Sequence, residues 1–98
     1  MSVQKSQSIV SFIIPCYNGA NFIFRLLDSL LRQTYDRMEI FVIDDGSTDE
    51  SAAVIKSYIS KFEEKQIKLD YIYQENAGQS YAINRGLKLF SGDYLAWL

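Results

Sequence analysis

Ninety-eight residues, 48% hydrophobic and 22% charged, fit one small globular domain or part of a larger one and argue against disorder. A formal net charge of -2 leaves no electrostatic footprint for nucleic acid, and no Lys/Arg run forms a polybasic membrane patch. With no histidine and one cysteine, Ser-His-Asp and Cys-His mechanisms and an intrachain disulfide are excluded, and no apolar stretch approaches the ~20 residues of a membrane helix.

Residues 1–8 are polar and read as a flexible lead, leaving residues 9–98 as the folded part. Ile9-Val10-Ser11-Phe12-Ile13-Ile14 is apolar and short enough for a buried strand, and Pro15, which has no amide for a ladder, is expected to end it. Cys16-Tyr17-Asn18-Gly19 then places turn formers around an aromatic. From Asn21 the residues Phe22, Ile23, Leu26, Leu27, Leu30 and Leu31 return at helical spacing, which predicts a first helix with this stripe in the core. Residues 38–43 predict a second strand that runs into Asp44-Asp45-Gly46-Ser47-Thr48-Asp49. Ser47 and Glu50 have the spacing of a capping box, so a second helix is expected to begin there. It should run from about Asp49 to Phe62, with Ala52, Ile55, Ile59 and Phe62 on its inner stripe. Alternation over residues 67–73 predicts a third, half-exposed strand. After a polar loop over residues 74–80, Ala82, Ile83, Gly86, Leu87 and Phe90 mark a third helix, stopped by Ser91 and capped by Gly92. Residues 93–98 begin a fourth apolar strand, and the sequence stops without turn, cap or polar exit, as a truncated chain would.

Strands alternating with helices predict an α/β fold, a three-layer α/β/α arrangement around a mostly parallel, Rossmann-like sheet. Right-handed crossovers give the strand order 3-2-1-4, with the switch point between the first and fourth strands. Ligands are expected at the carboxyl ends of the strands beside that crevice.

The acidic pair ends a buried strand at a turn. It is either a solvated helix entrance or a ligand acceptor, with Asp45 the better candidate for ligand and Asp44 for holding the loop. On that reading Asp45→Ala is expected to weaken ligand binding with folding nearly intact. Tyr17 is either a packed aromatic or a face for a planar base. Residues 76–80 are either an N-capped connection or a loop whose backbone approaches a phosphate at Gly78 and Gln79. Neither G-x-G-x-x-G nor G-x-x-x-x-G-K-[ST] is present. Arg85 reads as a solvated charge, and Cys16 as a small packing residue with no base to activate it.

Three stretches in order closely resemble the start of family 2 glycosyltransferases: Val10-Ser11-Phe12-Ile13-Ile14-Pro15-Cys16-Tyr17-Asn18, Leu30-Leu31-Arg32-Gln33-Thr34-Tyr35 and Ile43-Asp44-Asp45-Gly46-Ser47-Thr48-Asp49. Asn76-Ala77-Gly78-Gln79-Ser80, Ala82-Ile83-Asn84-Arg85-Gly86-Leu87 and Gly92-Asp93-Tyr94-Leu95-Ala96-Trp97-Leu98 continue the similarity. The resemblance implies part of a GT-A fold and an inverting transfer from a nucleotide-diphosphate sugar, with a UDP-sugar the expected donor and a glycan or other hydroxyl the acceptor. It implies nucleotide-binding roles for Pro15, Tyr17, Asn18, Asp44, Asp45, Gly78 and Gln79. In the family the D-x-D acids that hold Mg²⁺ or Mn²⁺ follow a stretch like residues 94–98, and the catalytic base and acceptor half come later. No catalytic residue and no metal ligand is therefore expected within these residues, and the piece alone is expected to be inactive. A cytoplasmic protein is expected, or one at the cytoplasmic face of a membrane.

Two rivals come from other classes. A phosphoacceptor receiver module also carries an acidic pair at strand ends, but there the pair follows the first strand, whereas here it follows the second. A non-catalytic α/β interaction module is the other, and an open edge at the fourth strand would favour self-association.

Overall fold

The computed structural model describes residues 8–89, 92 and 94–97. Strands and helices alternate as β1 (Val10–Cys16), α1 (Ala20–Leu31), β2 (Met38–Asp45), α2 (Ser51–Glu63), β3 (Lys68–Gln74), α3 (Gln79–Leu87) and β4 (Tyr94–Trp97). All strand pairs are parallel, in the order β3-β2-β1-β4. This is the expected order: two crossovers build outward from β1, and the third returns to its other side.

Side-chain alternation divides the core into two layers. Ile14 and Cys16 of β1 and Ile40 and Val42 of β2 pack under α1 and α2, whereas Ile13, Phe41 and Ile43 pack with Ala82 of α3. Covered on both faces, β2 is buried along its whole length, which is why it reads as an apolar run. At the sheet edge β3 is only partly buried, as its alternation predicts. On the far face α3 lies so close to β1 that a Cβ on Gly86 would fall 2.4 Å from Ile13 Cγ2. No helix among the described residues is long and apolar enough to cross a membrane.

Several local expectations are corrected. β1 continues through Pro15, opposite Ile43, to Cys16; the missing amide falls where the described rungs to β4, ending at Ile13 and Trp97, have already stopped. α2 starts at Ser51, just after the expected Asp49, and Ser47 does not cap it, because the Ser47 hydroxyl is taken by the Asn18 amide (2.9 Å). The Ser51 amide is instead received by Asp49 Oδ1 (2.9 Å). On α2 the buried stripe is Ser51, Ile55, Tyr58 and Phe62, with Ala52 and Ile59 half-buried. α3 ends at Leu87 with Lys88 at its C-cap, so Gly92 does not cap it; the Gly92 amide donates to Ser11 Oγ (3.0 Å). Ser11 in turn donates to the buried Glu39 (2.5 Å), tying the approach to β4 into the sheet. Ser8, placed in the lead, accepts a hydrogen bond from the Tyr35 hydroxyl. The rest of that lead, and the assignments of Phe90, Ser91, Asp93 and Leu98, lie outside the described residues.

Candidate functional site

β2 carries Asp44 and Asp45 to the carboxyl end of the sheet, and as neighbours on a strand they point to opposite faces. Asp44 is fully buried and accepts from the Tyr71 hydroxyl (2.6 Å) and the Ser47 amide (2.9 Å). It therefore pins the turn after β2 to β3. Burial, and then this acceptor, push the Tyr71 hydroxyl well above the usual tyrosine range. Asp45 is only 4% exposed. Its Oδ1 accepts from Gln74 Nε2 (2.8 Å) and the Ala77 amide (2.7 Å), and its Oδ2 from the Gly78 amide (2.9 Å) and Asn76 Nδ2 (3.2 Å). These donors fill the acceptor sites of a carboxylate. Gln74 first, then the Ala77 amide, hold the Asp45 carboxyl below the usual range against the opposing effect of burial. Gly46 makes the reversal possible: its φ is +76°, and a Cβ there would lie 2.8 Å from the Asn76 amide nitrogen.

The β1–α1 loop is laced to the same turn from the other side. The amides of Asn18, Gly19 and Ala20 donate in turn to Ser47 Oγ (2.9 Å), Ser51 Oγ (3.1 Å) and Asp49 Oδ2 (3.3 Å). In return, Asn18 Oδ1 accepts from the amides of Thr48 (2.7 Å) and Asp49 (3.2 Å). Hydrogen bonds from the Ser51 hydroxyl and amide, and then from Ala20, keep the Asp49 carboxyl below its ordinary range.

Between the two loops lies a cavity of about 440 Å³ lined by Pro15, Cys16, Tyr17, Phe22, Asp45, Asn76, Gly78 and Gln79. Tyr17 is 56% exposed and Phe22 55%, so two aromatic faces stand open beside a carboxylate and the amide-rich entrance of α3. Such a cavity suits a planar heteroaromatic ligand carrying an anionic group. Pro15, Tyr17, Asp45, Gly78 and Gln79 line it, whereas Asn18 and Asp44 act from behind the wall. Phe22 is not among the expected site residues, because its spacing places it with the apolar stripe of α1. The buried positions Ile23, Leu27 and Leu30 put Phe22 about 100° round the helix from that stripe, and this offset was the available signal. Cys16 packs as expected and also meets the cavity, with burial pushing its thiol above the ordinary value. Arg85 Nη1 reaches Gln74 Oε1 at 3.4 Å, joining α3 to the Asp45 network. A wider groove of about 670 Å³ between α2 and β3 lies away from the carboxyl ends of the strands. Among the described residues no three His, Cys, Asp or Glu side chains gather to hold a metal, and the oxygens of Asp44 and Asp45 are engaged by the chain's own donors. The described residues do not fit a metal site.

Residues 11–98 match the family described as glycosyl transferase family 2. The chain belongs to this family. It is 44% identical over 90 residues to an uncharacterized glycosyltransferase of Rickettsia prowazekii, covering 92% of this chain and 26% of that protein. It is 43% identical over 89 residues to the glycosyltransferase GlyA of Streptococcus pneumoniae, covering 91% and 12%. Among solved structures, S. aureus TarS in complex with UDP superimposes with a TM-score of 0.80 at 29% identity, over 91% of this chain and 26% of that one. The mannosyltransferase PcManGT of Pyrobaculum calidifontis, in complex with GDP-Man and Mn²⁺, gives 0.78 at 28%, over 88% and 25%. The sheet is thus that of GT-A glycosyltransferases. The chain spans about a quarter of the length of the Rickettsia prowazekii protein and of both solved structures.

Proposed function

We propose that these residues form the nucleotide-binding part of a glycosyltransferase that takes a sugar from a nucleotide-diphosphate donor, with UDP as the preferred nucleotide, and passes it to a glycan or other hydroxyl. The observation that carries this reading is the cavity itself: Tyr17, Pro15 and Asp45 meet at the carboxyl end of a parallel sheet, in a chain of this family. The base stacks on Tyr17 beside Pro15. Asp45 accepts an N–H of the base as one of the loop's donors gives way, and Asp44 keeps the turn in place. The backbone at Gly78 and Gln79, entering α3, runs beside ribose and phosphate. UDP is put before GDP on the sequence resemblance, with which TarS, solved with UDP and with UDP-GlcNAc, accords; PcManGT, of nearly equal similarity, was solved with GDP-Man, and the titration decides between them. Metal binding, deprotonation of the acceptor and acceptor recognition are assigned to other parts of the protein, so these residues by themselves bind but do not transfer.

Titration with UDP, GDP, CDP and dTDP, with and without Mn²⁺, tests the reading. Metal-independent binding selective for UDP, with amide shifts at Tyr17 and Gly78, is the expected result. Tyr17→Ala should weaken it roughly tenfold, as loss of an aromatic stack does. If no nucleotide binds, or if UDP shifts only residues along the α2–β3 groove, the reading is wrong.

A further inference from the structure

We infer that Asn18 is a positioning residue for Tyr17: it joins the β1–α1 loop and the β2–α2 turn into one body, and so sets the aromatic wall of the cavity. The inference rests on the nucleotide reading above, although the joining of the loops stands apart from it. Asn18 has φ +47°, a left-handed conformation that asparagine tolerates better than most residues. There its side-chain oxygen receives the amides of Thr48 and Asp49 while its own amide reaches Ser47 Oγ. The next two amides, of Gly19 and Ala20, reach Ser51 and Asp49, so the two segments exchange bonds in both directions. Tyr17 is the residue immediately before this lacing and is more than half exposed. Little packing holds its ring, so the backbone fixed at Asn18 decides where the ring lies. Asn18 does not line the cavity and its bonds lie at the surface. Neutral exposed bonds contribute little to stability, so the effect of losing them is on order more than on folding.

The test combines Asn18→Ala and Asn18→Gly, each in the parent and in a Tyr17→Ala background, with two readouts. Asn18→Gly keeps access to the left-handed backbone while removing the side chain and with it the acceptor oxygen. The first readout is UDP affinity. Either variant should weaken binding roughly tenfold in the parent and less than about twofold once Tyr17 is gone, the non-additivity of coupled neighbours. The second is hydrogen exchange at the Gly19 and Ala20 amides. Their acceptors are untouched by the substitution, yet exchange should quicken roughly tenfold because the whole lacing loosens. Fully additive affinity losses would show that Asn18 contacts ligand on its own account and would overturn the positioning role. Unchanged exchange at Gly19 and Ala20 would overturn the joined loops. If the parent binds no nucleotide diphosphate, the nucleotide reading falls and Asn18's part in it with it, while the exchange readout still decides whether the two loops are one body.

Discussion

The two walls of the cavity are tied to the same turn after β2 by different means. The β3–α3 wall hangs on one buried carboxylate, Asp45, whose two oxygens gather Gln74, Asn76, Ala77 and Gly78. The β1–α1 wall is held by several neutral hydroxyl and amide bonds, from Ser47 and Ser51 and back from Asn18, and by the carboxylate of Asp49, mostly at the surface. Hydrogen bonds to a buried charge are stronger and cost more when half-removed than neutral bonds that water can replace. The first wall should therefore be coupled to global stability and the second to local order. A sheet end built this way ties one side of its cavity to the core by a buried charge and the other to a surface turn by mostly neutral bonds, so the second is expected to loosen first.

The largest effect should come from the turn that both walls share. Gly46→Ala places a Cβ 2.8 Å from the Asn76 nitrogen and imposes a left-handed backbone on alanine, so a loss of about 3 kcal/mol in urea unfolding is expected. A loss below ~1 kcal/mol would mean that the turn can rearrange and that the walls are not anchored to it. Asp45→Ala comes next, at roughly 2 kcal/mol, because Gln74 is buried and would be left with an unpaired amide. This revises the expectation that folding would survive the substitution nearly intact. The same carboxylate gives the comparison a pH signature. Its pKa is lowered in the folded state, so its contribution is complete above the ordinary aspartate value of about 4 and is lost as pH falls through the lower folded value. Acid unfolding of the parent should steepen below about pH 4, and Asp45→Asn should flatten that slope. An unchanged slope would remove Asp45 as the charged anchor.

The sequence shows the architecture far more readily than the wiring. β2 and β1 announce themselves because strands covered on both faces must be apolar throughout, and β3 because an edge strand alternates. The strand order follows from crossover handedness once the alternation of elements is read. What stays hidden is competition for the same polar group. Ser47 carries a sound capping-box spacing toward Glu50, yet a donor 29 positions away in sequence claims its hydroxyl. Asp45 looks like a free acceptor until the β3–α3 loop folds back over it. These are contacts between distant segments, and local pattern carries no information about them. Phe22 differs from these two, since its offset of about 100° from the stripe of Ile23, Leu27 and Leu30 is legible locally and only the cavity that its outward face meets is not.

The smallest expected effect sharpens the contrast most, because it lies on the neutral wall but at a buried residue. Ser51 begins α2, is fully buried, and its hydroxyl receives the Gly19 amide at 3.1 Å. Ser51→Ala removes that neutral acceptor, and water can reach the half-buried Gly19 amide in its place. The loss should be about 1 kcal/mol, a fall of roughly 5 °C in melting temperature for a domain of this size. The substitution also removes the side-chain hydrogen bond that partly offsets the effect of burial on the Cys16 thiol, so the thiol pKa should rise further. Alkylation of Cys16 should then be slower at a given pH, with its half-point displaced to higher pH. If Ser51→Ala instead destabilises the fold as much as Asp45→Ala, the neutral wall is as firmly bound to the core as the charged one. The division between a core-tied and a looser side would then be wrong. If the melting temperature falls by only those few degrees while Cys16 alkylation slows, the hydroxyl serves the local order of the β1–α1 loop more than the stability of the core.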